Sequence, residues 1–376
     1  MNNIVEFSTS LLMINIVLTF QMILICKPNK IYRNPTNNEI TKIVFISIFI
    51  LNIFHCIFAF WAEDTYHIWW DFLTERFSME HYEGIYNWLA NKTELNYFLW
   101  RSFIWIPTLY LIYKSSEKLD LINRCFAVSF VLLNIFVISN TRGALGHSML
   151  LYGIILLFYN KKLSLKFIMS CMIIYLSYFF HKSMYINLIF SVIALMPLKK
   201  NVFIISIIIF PLFVEIASRF INLLQTETIS ISYADNVGGL SDRTQTYVTG
   251  EAINININGI IGQFVKWIPT YLSLIYLCKR VIFQKYFDNI RNKGIYRYLF
   301  NLTYVCFYFG TVFSFVENTS SWIGIRFRYM GLFPLPFIIA KLWCLEKKTN
   351  NWIKSIIILS IVSILYTYIF TYKAWM

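Results

Sequence analysis

The sequence predicts an all-α integral membrane protein: a polytopic helical bundle of about twelve transmembrane helices, one domain over 1–376, with two larger outer loops. Three observations lead there. The chain is 58% hydrophobic and 19% aromatic but only 14% charged, whereas soluble domains run near ~25% charged. Its apolar runs are continuous rather than alternating, as in Ile204 to Phe213, which excludes a transmembrane barrel. Its cations recur in separate short segments between those runs. A water-soluble globule of this length has no means of hiding so much Ile, Phe and Tyr.

A helix needs ~20 mostly apolar residues to cross a bilayer core ~30 Å thick. Such runs fall at 4–26, 41–60, 97–114, 125–140, 143–160, 164–180, 183–198, 202–222, 259–278, 296–316, 328–345 and 353–372. The first follows MNNIVEFSTS, which has no basic n-region, and no small-residue cleavage site comes after it; it is expected to remain as a span. The third is interrupted by Arg101. The sixth and seventh are a short pair joined at His181, and the eleventh contains Pro334 and Pro336.

Lys and Arg set the orientation. Segments 27–42, 114–124, 160–166, 199–201, 279–297 and 341–354 hold 22 of the 33 basic residues and five acids, a net +17 against −3 for the rest of the chain. Assigning them to the cytoplasm puts both termini outside. The formal charge of +14 is therefore topological, anchoring loops to anionic inner-leaflet lipid. It does not point to nucleic acid. Loops 61–96 and 223–258 then face outward.

Several function classes drop out. No cytoplasmic segment exceeds about twenty residues, and neither a G-x-x-x-x-G-K-[ST] nor a G-x-G-x-x-G motif occurs, so ATP- or NAD-dependent chemistry is not expected. The seven cysteines lie in spans or at their ends, without a C-x-x-C; no disulfide framework and no metal site is expected. No cofactor is implied.

Ionisable groups crowd the outer side. All five histidines (55, 67, 81, 147, 181) fall near or beyond the outer face on this topology, as do Arg101, Arg142, Arg326 and Arg328. The first outer loop carries seven acids against two bases, and Asp64, His67, Asp71 and Glu75 recur at helical spacing opposite Trp69, Trp70 and Phe72. That pattern reads as an interfacial helix with a solvated polar face. Asp64, just beyond the second span, is the candidate to take a proton from a sugar hydroxyl.

A second patch, Ser139 to His147, is a tight polar turn at a span junction. Its glycines permit close backbone approach, and Arg142 offers a planar fork for phosphate oxygens; the plain alternative is an arginine snorkelling to headgroups. The third patch is Phe179 to Ser183, where His181 and Lys182 join two apolar runs. The fourth runs from Glu317 to Tyr329, with Arg326 and Arg328 preceding the Pro-containing span. Arg243, beside Asp242 in the second outer loop, is a fifth candidate. Glu215 and Lys266, within apolar runs, are assigned no role.

In order along the chain stand Asp64-Thr65-Tyr66, T-R-G-A-L at 141–145, F-H-K-S at 180–183 and R-x-R-Y at 326–329. This series resembles the EpsG group of Wzy-type polymerases of bacterial surface polysaccharides, which includes O-antigen polymerases. Gly143 departs from the Gln often found after that family's first arginine. The resemblance implies an enzyme of the bacterial inner membrane with its active site facing outward. It would transfer a growing undecaprenyl-diphosphate-linked glycan onto another lipid-linked repeat unit. Its partners would be those repeat units, membrane lipid and a chain-length regulator. Arg142, Arg326, Arg328, Lys182 and Arg243 would bind the diphosphate, while Asp64, His181 or His147 would serve as acid–base groups. Two other classes fit the inventory in part: another lipid-linked glycosyltransferase or O-antigen ligase, and a polysaccharide flippase or other transporter.

Overall fold

The computed structural model describes residues 35–58, 88–90, 92–93, 96–121, 141–160, 164–180, 184–231, 257–288, 293–316, 322–345 and 358–362, with a few single positions beside them. The described residues are overwhelmingly helical, with no strand among them. In chain order the principal helices are α1 (Pro35–Phe58), α2 (Tyr97–Lys118), α3 (Thr141–Tyr159), α4 (Leu165–Ser177), α5 (Met184–Ile193), α6 (Lys200–Ile208), α7 (Phe210–Ile231), α8 (Ile257–Cys278), α9 (Lys293–Ser314), α10 (Trp322–Leu332) and α11 (Leu335–Leu345). Among the described residues, Gly324–Leu345 is the stretch long and apolar enough to cross a bilayer, and Lys200–Phe220 joins it if a bend is allowed. The expected spans at 4–26 and 125–140 and most of the loop at 61–96 lie outside the described residues, as does 232–256 of the second expected loop, whose first part, 223–231, is instead the end of α7.

Most apolar runs became helices, with two departures. The run 202–222 is not one straight span: α6 and α7 meet at a 56° bend. Pro211 is the physical reason, because it has no N–H to donate and its ring collides with the carbonyl four residues back. The R-x-R-Y pair does not precede its helix. Arg326 and Arg328 lie inside α10, which begins at Trp322.

Two compact units divide the chain: residues 1–184, 264–273 and 335–376 in the first, 185–263 and 274–334 in the second. In the first, α2 is started by Asn96, whose side chain accepts from the Leu99 N–H at 3.0 Å, satisfying one of the helix's open donors. Helices α3 and α4 meet along a seam of small residues. A Cβ on Gly153 would fall 2.6 Å from the Ile174 side chain and 3.1 Å from the Ser170 carbonyl, and one on Gly146 3.1 Å from the Ser177 carbonyl. Ser170 and Ser177 are buried on the facing side, their hydroxyls turned back on the carbonyls of Lys166 and Ile174. Close backbone approach through Gly and Ser is how helices associate where hydrocarbon offers no hydrophobic drive. The opposite face of α4, with Ile168, Met172 and Tyr175, stays exposed. At the far end of α2, Lys114 donates to Glu117 at 2.8 Å and holds that carboxyl below its usual range.

In the second unit α9 is the organising helix. The Tyr298 hydroxyl donates to the Ser191 carbonyl at 3.0 Å, and Asn301 donates to the carbonyls of Ala194 and Met196 at 3.1 and 2.9 Å. Tyr308 donates to the Ser206 carbonyl, and Tyr304 shares a hydrogen bond with the Ser206 hydroxyl, both at 2.6 Å. On another face α9 meets α10 through two glycines. A Cβ on Gly324 would sit 2.5 Å from both the Gly310 carbonyl and the Ser314 hydroxyl, and one on Gly310 2.8 Å from the Gly324 carbonyl. Backbone atoms cannot swing aside as a side-chain end can. Gly324→Val should therefore force the two helices apart, an overpacking cost of about 1–3 kcal/mol or more. The check is thermal unfolding of the purified protein in detergent, where the variant should melt several degrees below wild type; an unchanged midpoint would contradict this packing.

Candidate functional site

In the first unit three of the sequence patches come together through their flanking residues. Leu145, the last residue of T-R-G-A-L, packs in one buried cluster with Ala90, Tyr97, Trp100 and Ile104, and Phe180, the residue before His181, packs against that cluster. Tyr97 and Trp100 open α2 directly after the first outer loop. Gly146 adds a second tie, since its Cα faces both the Ser177 carbonyl and the Met184 side chain, 3.1 and 3.3 Å from where a Cβ would lie. Those two residues bracket the His181–Lys182 connection. The start of α3, the start of α2 and the α4–α5 junction thus share one location.

Arg142 is the second residue of α3. A helix start presents N–H groups without intrahelical acceptors and the positive end of the helix dipole, an environment suited to phosphate oxygens. His147 lies five residues farther along α3 and is buried. It is a group inside the packed helix rather than at its mouth. Asp64, His181, Lys182 and Arg243 lie outside the described residues.

Arg101 is the residue sequence reasoning undervalued. It is fully buried. Its Nε donates to the Cys56 carbonyl at 3.0 Å, its Nη2 donates to the same oxygen, and its Nη1 donates to the Tyr97 hydroxyl at 2.8 Å. The guanidinium also lies 5.5 Å from the Tyr97 ring centroid, within cation–π range. Cys56 carries one of the last four carbonyls of α1, which lack acceptor duty within the helix and sit at its negative end. Arg101 therefore caps the end of α1, and Cys56 is only eight residues before Asp64 in the sequence. His55, next to that capped carbonyl, is buried as well. The signal was present in the sequence: a lone arginine in an apolar run is costly unless it is paired, and so marks a site.

The fourth patch belongs to the second unit. Arg328 is buried, its Nε donating to the Gly324 carbonyl at 3.2 Å and its Nη2 to the Ser314 hydroxyl at 3.0 Å. A Cβ on Gly310 would touch its side chain. Arg328 thus braces α10 against α9. Arg326, on the same helix, is half-buried.

No protein-family model matches this chain, and neither a curated protein nor a solved structure is significantly similar to it. Among the described residues no group of His, Cys, Asp and Glu could hold a metal ion.

Proposed function

We propose that this protein is a polymerase of a bacterial surface polysaccharide, acting at the outer face of the inner membrane on undecaprenyl-diphosphate-linked repeat units. The observation that carries the reading is the convergence of Leu145, Phe180 and Trp100 in one cluster. It draws the flanks of the T-R-G-A-L, F-H-K-S and first-loop patches to a common place, as a single outer site requires.

The reaction needs two things that this inventory supplies. An acceptor sugar hydroxyl attacks the anomeric carbon of the donor glycan, forming the new glycosidic bond as the bond to the diphosphate oxygen breaks. The hydroxyl proton passes to a base, Asp64 or His181. The leaving polyprenyl diphosphate gains negative charge, which fixed guanidinium and ammonium groups stabilise; Arg142 at the start of α3 and Lys182 fill that role. His147, being buried, serves to position α3. In the second unit Arg328 braces α10 against α9, which leaves the diphosphate in this reading to the cations of the first unit.

The test is deletion of the gene in its native host, with surface and lipid-linked glycans separated by size. Loss of the long-chain ladder, with single repeat units still reaching the surface and the ladder restored by the wild-type gene, is the expected result. An untouched ladder would overturn the reading. So would failure of any repeat unit to reach the outer face, which would point to a flippase.

A further inference from the structure

The chain leaves α8 through a wide π-helical turn, Lys279–Phe283, closed by a 3.1 Å bond from the Gln284 N–H to the Lys279 carbonyl. Arg280 holds this turn in shape. Its Nε donates to the Tyr276 hydroxyl at 3.0 Å and its Nη1 to Gln284 Oε1 at 2.6 Å. Its guanidinium lies 5.1 and 5.2 Å from the Tyr276 and Tyr286 rings, within cation–π range. Phe287, fully buried, then packs on Tyr296 of α9. The start of α6 meets this frame. Phe203 touches the exposed Phe283 ring edge-on at 5.9 Å, and Lys200 Nζ lies 5.7 Å from the same ring.

Two basic segments far apart in sequence, 199–201 and 279–297, are therefore neighbours in the fold. Lys199, Lys200, Lys279 and Lys285 are all exposed. Among the described residues no carboxylate pairs with any of them; Asp288, the nearest acid in the sequence, is bonded to Arg297. Beside the lysines the surface turns apolar. Exposed Val202 follows Lys199 at three-residue spacing, and exposed Ile275 precedes Lys279 at four, so each shares a helix face with a cation.

We propose that this place binds one anionic phospholipid of the inner leaflet, its phosphate held by Lys200 and Lys279 and its acyl chains lying along Val202 and Ile275. Cations without carboxylate partners, set on a fixed frame between helix ends, suit a lipid phosphate. The apolar residues that continue from them suit its hydrocarbon tails, which neither a soluble phosphate nor an acidic protein would bring. A single stoichiometric site differs from the diffuse attraction of every basic loop to the leaflet. It requires the expected orientation but not the proposed reaction.

The test is native mass spectrometry of the full-length protein, purified in a neutral detergent, with phosphatidylglycerol or phosphatidylcholine added back. Phosphatidylglycerol should be retained as a single molecule per chain, and phosphatidylcholine should not. Lys200→Gln combined with Lys279→Gln should reduce that adduct by about tenfold or more, two lysines being lost from the phosphate. The decisive control removes the same charge from other basic segments. Lys118→Gln combined with Lys166→Gln, both at exposed positions, should leave the adduct near the wild-type level. Equal loss from the two double variants would show diffuse attraction and overturn the proposal, as would equal retention of the two lipids. Glycerol phosphate or polyglutamate in excess should fail to displace the bound lipid. Displacement by the first would overturn the proposal in favour of a soluble phosphate, and by the second in favour of an acidic protein.

Discussion

Arg142→Ala should abolish glycan polymerisation while leaving the protein folded and in the membrane. The expectation follows from where Arg142 stands. As the second residue of α3 it stands at the helix start, and the packing of this end of α3 is carried by Leu145 and Gly146. Truncating it removes a cation from that start. Loss of one group that stabilises charge developing on a leaving diphosphate lowers a rate about 10²–10³-fold, or ~3–4 kcal/mol of barrier. For a reaction that must repeat many times to build a ladder, that amounts to no ladder. Arg142→Lys should recover only a small part, because a point charge replaces a planar fork poorly. The measurement is complementation of the deletion strain with each variant, alongside membrane abundance and thermal unfolding. A wild-type ladder from Arg142→Ala would refute the clamp.

The second large effect is on stability. Arg101→Ala should destabilise the first unit by about 3 kcal/mol or more, since hydrogen bonds from a charged group contribute ~1.5–3 kcal/mol and a cavity adds to their loss. The Cys56 carbonyl at the end of α1 and the Tyr97 hydroxyl would both be left buried without the guanidinium that now serves them. Arg101→Met isolates the hydrogen-bonding share, because it fills much of the volume and removes the donors. It should melt between wild type and Arg101→Ala. Arg101→Lys should not match wild type, as one ammonium cannot span the carbonyl and the hydroxyl in the same geometry. Equal unfolding temperatures for all four proteins would show that the cap contributes nothing.

Much of this architecture was legible as apolar runs, because a continuous stretch of Ile, Leu and Phe has few options other than a helix. The bend between α6 and α7 was less visible. Pro211 sits inside so apolar a stretch that composition alone reads through it, although its missing donor dictates the break. The inward placement of Arg328 was hidden for another reason. What shelters Arg328 is the close approach of Gly310 and Gly324, fourteen residues apart in sequence, and no local pattern announces that pairing. The candidate site shows the same limit. T-R-G-A-L and F-H-K-S stand out as polar breaks between apolar runs. Their meeting depends on the seam of Gly146 and Gly153 against Ser177 and Ser170, a long-range match of small residues. Arg101 was visible but read only by its position, since nothing local reveals that its partner is the end of another helix. Glu215, given no role when seen alone, pairs with Arg219 one turn along the same helix.

The way α9 holds its neighbours has an evolutionary consequence. Tyr298, Asn301 and Tyr308 bond to backbone oxygens of residues 191, 194, 196 and 206. Every amino acid supplies such an oxygen. Apart from Ser206, whose hydroxyl meets Tyr304, and Phe203, whose ring packs on it, these bonds would survive side-chain exchange in the stretch from 191 to 206, provided that α9 keeps its donors. For these bonds the demand on sequence rests on a few polar positions of one helix more than on the stretch that they grip. A fold recorded so unevenly along its chain can persist long after sequences built on it have ceased to resemble one another.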